Sequence, residues 1–167
     1  MKLEISPMSP IATIRTPFTT LEGMPIQPRG ASDIYATIEF LPKHVAGLKD
    51  LDGFSHAYLI YYFHQVTDYR LEVVPFNDKT NSKRGIFSTR SPVRPNKMGL
   101  SVVEIVSVEG NIVTIKGIDV LDGTPLLDIK PYIENFDRID GPVKSGWMKA
   151  TRQEVVAKRS DDRFINT

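Results

Sequence analysis

The chain has 167 residues, of which 41% are hydrophobic and 25% are charged, and its formal net charge is +1. These values are typical of one globular domain and exclude disorder over most of the chain. There is no cysteine, and the only histidines are His44, His56 and His64. Disulfides and thiolate metal sites are therefore excluded, and no metal centre is expected. No apolar run approaches the ~20 residues that span a bilayer, and the N-terminus lacks a secretory pattern, so we expect a cytoplasmic protein.

Short β-branched and aromatic runs, separated by Gly, Pro, Asn and Asp, predict a mainly β fold. Strands are expected at 11–16, 34–40, 57–63, 69–74, 102–108, 112–120 and 126–129. The remaining segments are a long loop at 17–33, a helix-compatible stretch at 42–49, a loop at 75–99 with a short ordered piece at 86–88, and a helical tail at 148–159. No glycine-rich phosphate loop follows a strand, which disfavours a doubly wound nucleotide-binding sheet. We therefore expect a mainly β, antiparallel closed barrel with long functional loops and few short helices.

A basic run is the main feature of the charge distribution. Residues 79–103 contain no Asp or Glu but six cations, namely Lys79, Lys83, Arg84, Arg90, Arg94 and Lys97. Such a run favours contact with phosphates or a carboxylate, and a solvated basic loop is the alternative. Prolines stiffen the segment 85–101, which lowers the entropic cost of presenting Arg90 and Arg94. The planar guanidinium group of arginine can bind either a phosphate or a carboxylate.

Gln27, His56 and His64 are further candidate polar residues. Gln27 stands between Pro25 and Pro28, where the alternative interpretation is an ordinary rigid loop. His56 and His64 bracket one predicted strand, and their even spacing would place them on the same face of a regular strand. Their separation of ~26 Å along that strand excludes a shared metal ion.

The segment 121–132, LDGTPLLDIKPY, combines a turn with a possible ion pair. Asp122 and Gly123 predict a tight turn with exposed backbone amides. Asp128 and Lys130 would face the same side of an extended segment, where an exposed ion pair adds little stability.

The motifs GFSH, FH, GIFSTRSPVRPN, GLS and LDGTPLLDIKPY, in this order, resemble the TsaA/TrmO family of S-adenosylmethionine-dependent tRNA methyltransferases. The matching segments run from about Pro10 to Tyr132. The resemblance implies a homodimeric β-barrel with the cofactor near the subunit interface and no Rossmann domain. It also implies N6-methylation of threonylcarbamoyladenosine, the modified base next to the tRNA anticodon.

The same resemblance assigns expected roles to individual residues. Contacts with S-adenosylmethionine are expected from Pro25, Ile26, Gln27, His64, Gln65, Arg90, Leu100, Leu121, Asp122, Gly123 and Thr124. His64 and Asp128 are candidates for a base that acts on the ureido-like substrate nitrogen, a contribution of about 10²–10⁴-fold.

The tRNA substrate is expected to contact a further group of residues. Arg90, Arg94 and Lys130 are candidate cations for the threonyl carboxylate, because burying that carboxylate unpaired would be costly. Tyr62, Phe87 and Tyr132 are candidates for stacking on the base, with a place in the core or an interface as the alternative.

Two positions depart from the family pattern. Lys97 stands where the family usually continues RPNP, and Gln65 stands where an acidic or polar residue usually follows FH. The expected organisation is a barrel methyltransferase domain at 1–140 and an extension at 141–167 that packs on or beside it. Longer family members carry an extra C-terminal domain, and RNA contacts from such a domain are not expected here.

Two other functions remain open from the sequence. One is a non-catalytic RNA-binding barrel that uses the basic loop 79–103. The other is a methyltransferase that takes a small molecule or a protein as its acceptor.

Overall fold

A computed structural model of the chain describes residues 7–22, 24, 31–76 and 78–157. Its strands are β1 (Ala12–Arg15), β2 (Tyr35–Phe40), β3 (His56–Tyr62), β4 (Glu72–Val73), β5 (Arg84–Gly85), β6 (Met98–Glu109), β7 (Ile112–Lys116) and β8 (Thr124–Pro131). The α-helices are α1 (Glu134–Asp137) and α2 (Arg152–Ala157), and short 3-10 helices cover Pro42–Leu48, Leu51–Gly53 and Ile86–Ser88. Over the described ranges, no helix has the length and apolar character needed to cross a membrane.

Six of the strands form a closed antiparallel barrel in the order β1-β2-β7-β6-β3-β8, and β8 pairs with β1 to complete the circle. Alternate residues of each strand face inward, because successive side chains of a strand point to opposite sides. In β3, for example, Leu59 and Tyr61 are buried while Tyr62 is exposed. A register shift between β3 and β8 lets Leu126 and Ile129 both pack in the core. The predicted fold class is thus confirmed.

Most predicted strands are present, with different bounds. β6 begins at Met98, inside the segment expected to be a loop, because the start of β6 pairs with the end of β3. β7 ends at Lys116 instead of residue 120, because Gly117 takes a φ of 86° and turns the chain. The expected strand at 69–74 is reduced to β4, which pairs only with β5. These differences arise from pairing between distant segments, which local patterns do not encode.

The antiparallel order collects three connections at one end of the barrel, which we call the site rim. They join β1 to β2, β3 to β6 (the connection 63–97, described except for residue 77) and β7 to β8 (117–123). Of the first connection, residues 16–22, 24 and 31–34 are described. The other end, which we call the opposite rim, carries the β2–β3 connection, the β6–β7 turn and the exit from β8.

The connection 63–97 has a small hydrophobic core of its own. Val73, Ile86 and Val93 are buried together and Val66 packs against them. The C-terminal segment reaches this connection, since Trp147 Nε1 donates a hydrogen bond of 2.9 Å to the carbonyl of Ser88. The extension predicted at 141–167 is described as far as residue 157, and its boundary at 140 stays a prediction.

Candidate functional site

The site rim gathers every described residue that the sequence assigns to cofactor contacts. These are His64, Gln65, Arg90, Leu100, Leu121, Asp122, Gly123 and Thr124, which lie in two rim connections or on the adjoining strand residues. The remaining candidates, Pro25, Ile26 and Gln27, lie outside the described residues. Segments far apart in sequence therefore meet at one end of the barrel.

His64 and Gln65 are held by bonds between the two halves of the 63–97 connection. The N–H of Phe63 donates to the carbonyl of Lys97 at 2.8 Å, and Lys97 Nζ donates to the carbonyl of Thr67 at 2.6 Å. Both His64 and Gln65 are exposed on this turn. The turn follows β3, which ends at Tyr62, so the regular strand that would align His64 with His56 is not formed.

Lys97, which departs from the family pattern, has a left-handed backbone. Its φ is 50°, and its N–H donates to the carbonyl of Arg94 at 3.0 Å. A proline has a φ near −65° and no N–H, so it could provide neither feature. The turn as it is closed here therefore depends on a residue other than proline at position 97.

The two arginines of the rim loop have different environments. Arg94 is half-buried, and its Nη1 donates to the carbonyls of Thr89 and Ser91 at 3.1 and 3.3 Å. Arg90 is exposed and forms no hydrogen bond or ion pair with any residue that the structure describes. Arg94 thus shapes the loop, and Arg90 is the cation left available to an anionic ligand.

The turn at 120–124 is fixed to the end of β1. Asp122 Oδ1 accepts the N–H of Thr16 at 3.1 Å, and the N–H of Asp122 donates to the carbonyl of Phe18 at 2.7 Å. The N–H of Gly123, whose φ is 78°, donates to the carbonyl of Ile14 at 3.0 Å. The expectation of exposed backbone amides is therefore wrong, because these amides serve the fold.

Leu121 and Thr124, on either side of that turn, are buried. Thr124 Oγ1 donates to the carbonyl of Leu121 at 2.7 Å. In this turn, Asp122 and Gly123 retain partial exposure, so they are the residues that a ligand at the rim can reach.

A polar network inside the barrel near the site rim was missed by the sequence analysis. The hydroxyls of Tyr61 and Ser101 lie 3.0 Å apart, and Ser101 Oγ donates to Asp119 Oδ1 at 3.3 Å. Burial raises the pKa of Asp119 to about 7, and the charge of Arg90 opposes this shift. The available signal was a single acid inside the apolar run at 118–121, and perturbed carboxyl groups are common at functional sites.

Three other candidates lie on the outer wall of the barrel or at its opposite rim. Asp128 and Lys130 form an ion pair of 2.7 Å on the outer wall of β8, each with substantial exposure. Tyr132 lies at the opposite rim, where its ring centre is 6.4 Å from that of His56 and 5.8 Å from that of Tyr58. Asp128 pairs with Ile60, the residue of β3 that also pairs with Leu100, whereas Tyr132 lies at the other end of the barrel.

Comparison with known proteins gives consistent results. A probable S-adenosyl-L-methionine-binding protein of Pyrococcus abyssi is 44% identical over 157 residues, which cover 94% of this chain and 84% of that protein. A mouse protein named tRNA (adenine(37)-N6)-methyltransferase is 38% identical over 77% of this chain, but the match spans only 31% of the mouse protein.

Solved structures agree with the sequence matches. The crystal structure of TrmO from Pseudomonas aeruginosa superposes with a TM-score of 0.70 and 35% identity, covering 86% of this chain and 62% of that one. This chain thus spans less than two thirds of that solved protein. Residues 13–138 match the family described as the tRNA-methyltransferase O N-terminal domain. This match covers most of the chain, so the chain belongs to the TrmO N-terminal domain family.

Proposed function

We propose that this chain is an S-adenosylmethionine-dependent methyltransferase that acts on N6 of the adenosine next to the anticodon in tRNA. The observation that carries the proposal is the convergence at one rim of His64, Gln65, Arg90 and the Asp122–Gly123 turn. Family membership and the names of the relatives support the same activity. A cytoplasmic location follows as part of the proposal, since the substrate is tRNA.

The groups at the rim fit the proposed cofactor chemically. S-adenosylmethionine, when bound, supplies an electrophilic methyl group and carries both a carboxylate and cationic groups. Arg90 is free to pair with an anion, and Asp122, whose Oδ2 lies 3.7 Å from Arg15 Nη1, keeps a partly exposed carboxylate. Methyl transfer is an in-line displacement, so the main task of these residues is positioning. The hydrogen-bonded rim turns suit that task, because their backbone is already fixed before a ligand binds.

We further propose that the acceptor is threonylcarbamoyladenosine. Its threonyl carboxylate needs a cation, and Arg90 is the best placed of the three candidates. Arg94 Nη1 is engaged by the loop, and Lys130 is paired on the outer wall. His64 is the stronger candidate for orienting or deprotonating the acceptor nitrogen, because it is exposed at the rim while Asp128 is paired with Lys130.

We also propose a homodimer. The outer face of β6 exposes Leu100, Val102 and Val106 by 59%, 41% and 46%, with the exposed Glu104 between the two valines. A second copy of the chain would cover these apolar side chains. Leu100 lies at the rim end of this face, which is consistent with a cofactor contact near a subunit interface. Light scattering on the full chain should give about twice the 18.8 kDa of one chain, and a purely monomeric mass would contradict the dimer.

Isotope transfer from labelled S-adenosylmethionine tests the function. We expect label in tRNA that carries the threonylcarbamoyl group and none in the same tRNA without it. Equal labelling of both would contradict the proposed acceptor. Absence of both transfer and a calorimetric binding signal for the methyl donor would favour the non-catalytic RNA-binding barrel.

Replacing Arg90 with alanine should lower transfer to the modified tRNA by about a hundredfold, in line with losing a charge-assisted bond of ~3 kcal/mol. The fold should be unaffected, because Arg90 has no bonding partner among the described residues. Lys43→Ala is the matched control, since Lys43 is an exposed cation in the β2–β3 connection at the opposite rim. Equal activity of the Arg90 variant and wild type would remove Arg90 from the site.

A further inference from the structure

A cleft lies on the site-rim side, between the β4–β5 strand pair with its connection and the C-terminal segment. It is lined on the first side by Asp78, Lys79, Thr80 and Arg84 and on the second by Gly146, Trp147 and Lys149. None of these residues is among those expected to contact the methyl donor. The cleft is therefore a separate feature that the proposed chemistry does not explain.

Contacts within one side of the cleft and between its two sides fix its shape. Arg84 Nε donates to Asp78 Oδ2 at 2.7 Å, and the Arg84 guanidinium lies 5.7 Å from the centre of the Trp147 ring. Lys79 Nζ and Glu154 Oε1 form an ion pair of 2.8 Å between the same two segments. Trp147 also bonds to the carbonyl of Ser88. The cleft is thus formed before any ligand binds, which lowers the entropy lost on binding.

The cleft presents positive charge to solvent. The Asp78 side chain is 1% exposed while its partner Arg84 is 29% exposed, so the carboxylate is covered and the guanidinium edge is accessible. Lys149, which lines the cleft, and Lys83, which precedes the lining residue Arg84, are exposed and have no ion-pair partner in the described part of the chain. The fixed negative charges nearby, Asp78 and Glu154, are already paired, which leaves these two lysines available to an anion.

We propose that this cleft binds the RNA backbone of the tRNA substrate, with Lys149 at a phosphate group in the cleft, Lys83 at a neighbouring phosphate group and Trp147 against a base. The proposal rests on the proposed function, because that function makes RNA the partner. Cations beside an aromatic ring are the combination that binds single-stranded RNA through phosphates and stacking. Ser88, which Trp147 contacts, is two residues from Arg90. A nucleotide in the cleft would therefore belong to the same RNA segment as the base presented to Arg90.

Charge reversal at the two lysines tests the proposal. The double variant Lys83→Glu/Lys149→Glu should bind modified tRNA about tenfold more weakly or worse, and the slope of log affinity against log salt should fall by about 2. Fluorescence anisotropy between 50 and 200 mM salt, the range over which such contacts respond strongly, measures both. Calorimetry should show unchanged affinity for the methyl donor. At saturating tRNA the kcat should be retained while KM for tRNA rises.

Two sets of variants separate specific effects from general ones. Lys43→Glu/Lys49→Glu makes the same charge change at the opposite rim, where both lysines are exposed, and should leave the salt slope near the wild-type value. Trp147→Phe and Trp147→Leu both lose the bond to Ser88, but only phenylalanine keeps an aromatic ring. A lower RNA affinity of the leucine variant than of the phenylalanine variant would therefore indicate stacking on a base.

Several outcomes would overturn the cleft as an RNA site. One is that the Lys83/Lys149 double variant keeps the tRNA affinity and the salt slope of wild type. If wild type still transfers methyl groups in that case, the proposed function is not affected. Others are an equal loss in the Lys43/Lys49 control, or competition by polyglutamate as strong as that by single-stranded RNA. If wild type transfers no methyl group to tRNA but the Lys83/Lys149 variant selectively loses RNA affinity, the function fails and the cleft is supported.

Discussion

Replacing Gly99 with alanine should lower the free energy of unfolding by about 3 kcal/mol, the upper end of the usual cost of overpacking a core. A Cβ atom at this position would lie 2.5 Å from Cζ and 2.8 Å from Cδ2 of Tyr61. The Tyr61 ring is buried, packs edge-on against Phe63, and bonds to Ser101 through its hydroxyl. The ring can therefore move aside only by giving up that hydrogen bond and its packing.

Urea unfolding would measure this effect, and the melting temperature should fall by roughly 10 °C for a domain of this size. Gly85→Ala is the control, because no atom lies within 4 Å of a Cβ built there. In a Tyr61→Leu background, Gly99→Ala should cost much less, since the ring carbons that it meets are absent. An undiminished cost in that background would show that the strain lies elsewhere.

The second large effect is expected for Asp119→Asn and depends on pH. Burial raises the pKa of Asp119 from its ordinary value of 3.8 to about 7, so the folded protein favours the protonated carboxyl group. The contribution of Asp119 to stability is then largest below about pH 4 and declines by about 1.4 kcal/mol per pH unit up to about pH 7. Asparagine cannot ionise, and its amide oxygen can still accept the Ser101 hydroxyl.

We therefore expect the stability of the asparagine variant, relative to wild type, to increase between pH 4 and pH 7 and to level off above that range. Urea unfolding of both proteins at pH 4.5, 6 and 8 gives this difference, in which the titration of all other groups cancels to first order. Asp52→Asn removes an exposed carboxylate and is the matched control. A pH-independent difference between Asp119→Asn and wild type would mean that Asp119 is ionised throughout in the folded state.

The fold was largely predictable because its strands carry local signals. The alternation at Ile34–Phe40 and the continuous apolar run at Ala57–Phe63 correspond closely to β2 and β3. The start of β6 was missed because Met98–Ser101 reads locally as the end of a loop, and its strand conformation depends on pairing with Leu59–Tyr62. Local patterns therefore identified the elements, while distant partners determined where they begin and end.

The placement of the candidate residues follows from the topology, while their roles stay predictions. His64, Arg90 and Asp122 lie on connections at the same end of the barrel. Arg94 and Arg90 look equivalent in sequence, yet only Arg94 is engaged by loop carbonyls. The only sequence signal for the environment of Asp119 was its place in the apolar run at 118–121, because its burial depends on the surrounding strands.

The pairing of β8 with both β1 and β3 has a consequence for the order of events during synthesis. On the ribosome, Ala12–Arg15 and His56–Tyr62 emerge long before Thr124–Pro131, so each has an unpaired edge until that last strand is made. Unpaired edges invite association with other chains. Nascent chains that pause before residue 124 should therefore be the species most dependent on chaperones, because their ring of strands is still open.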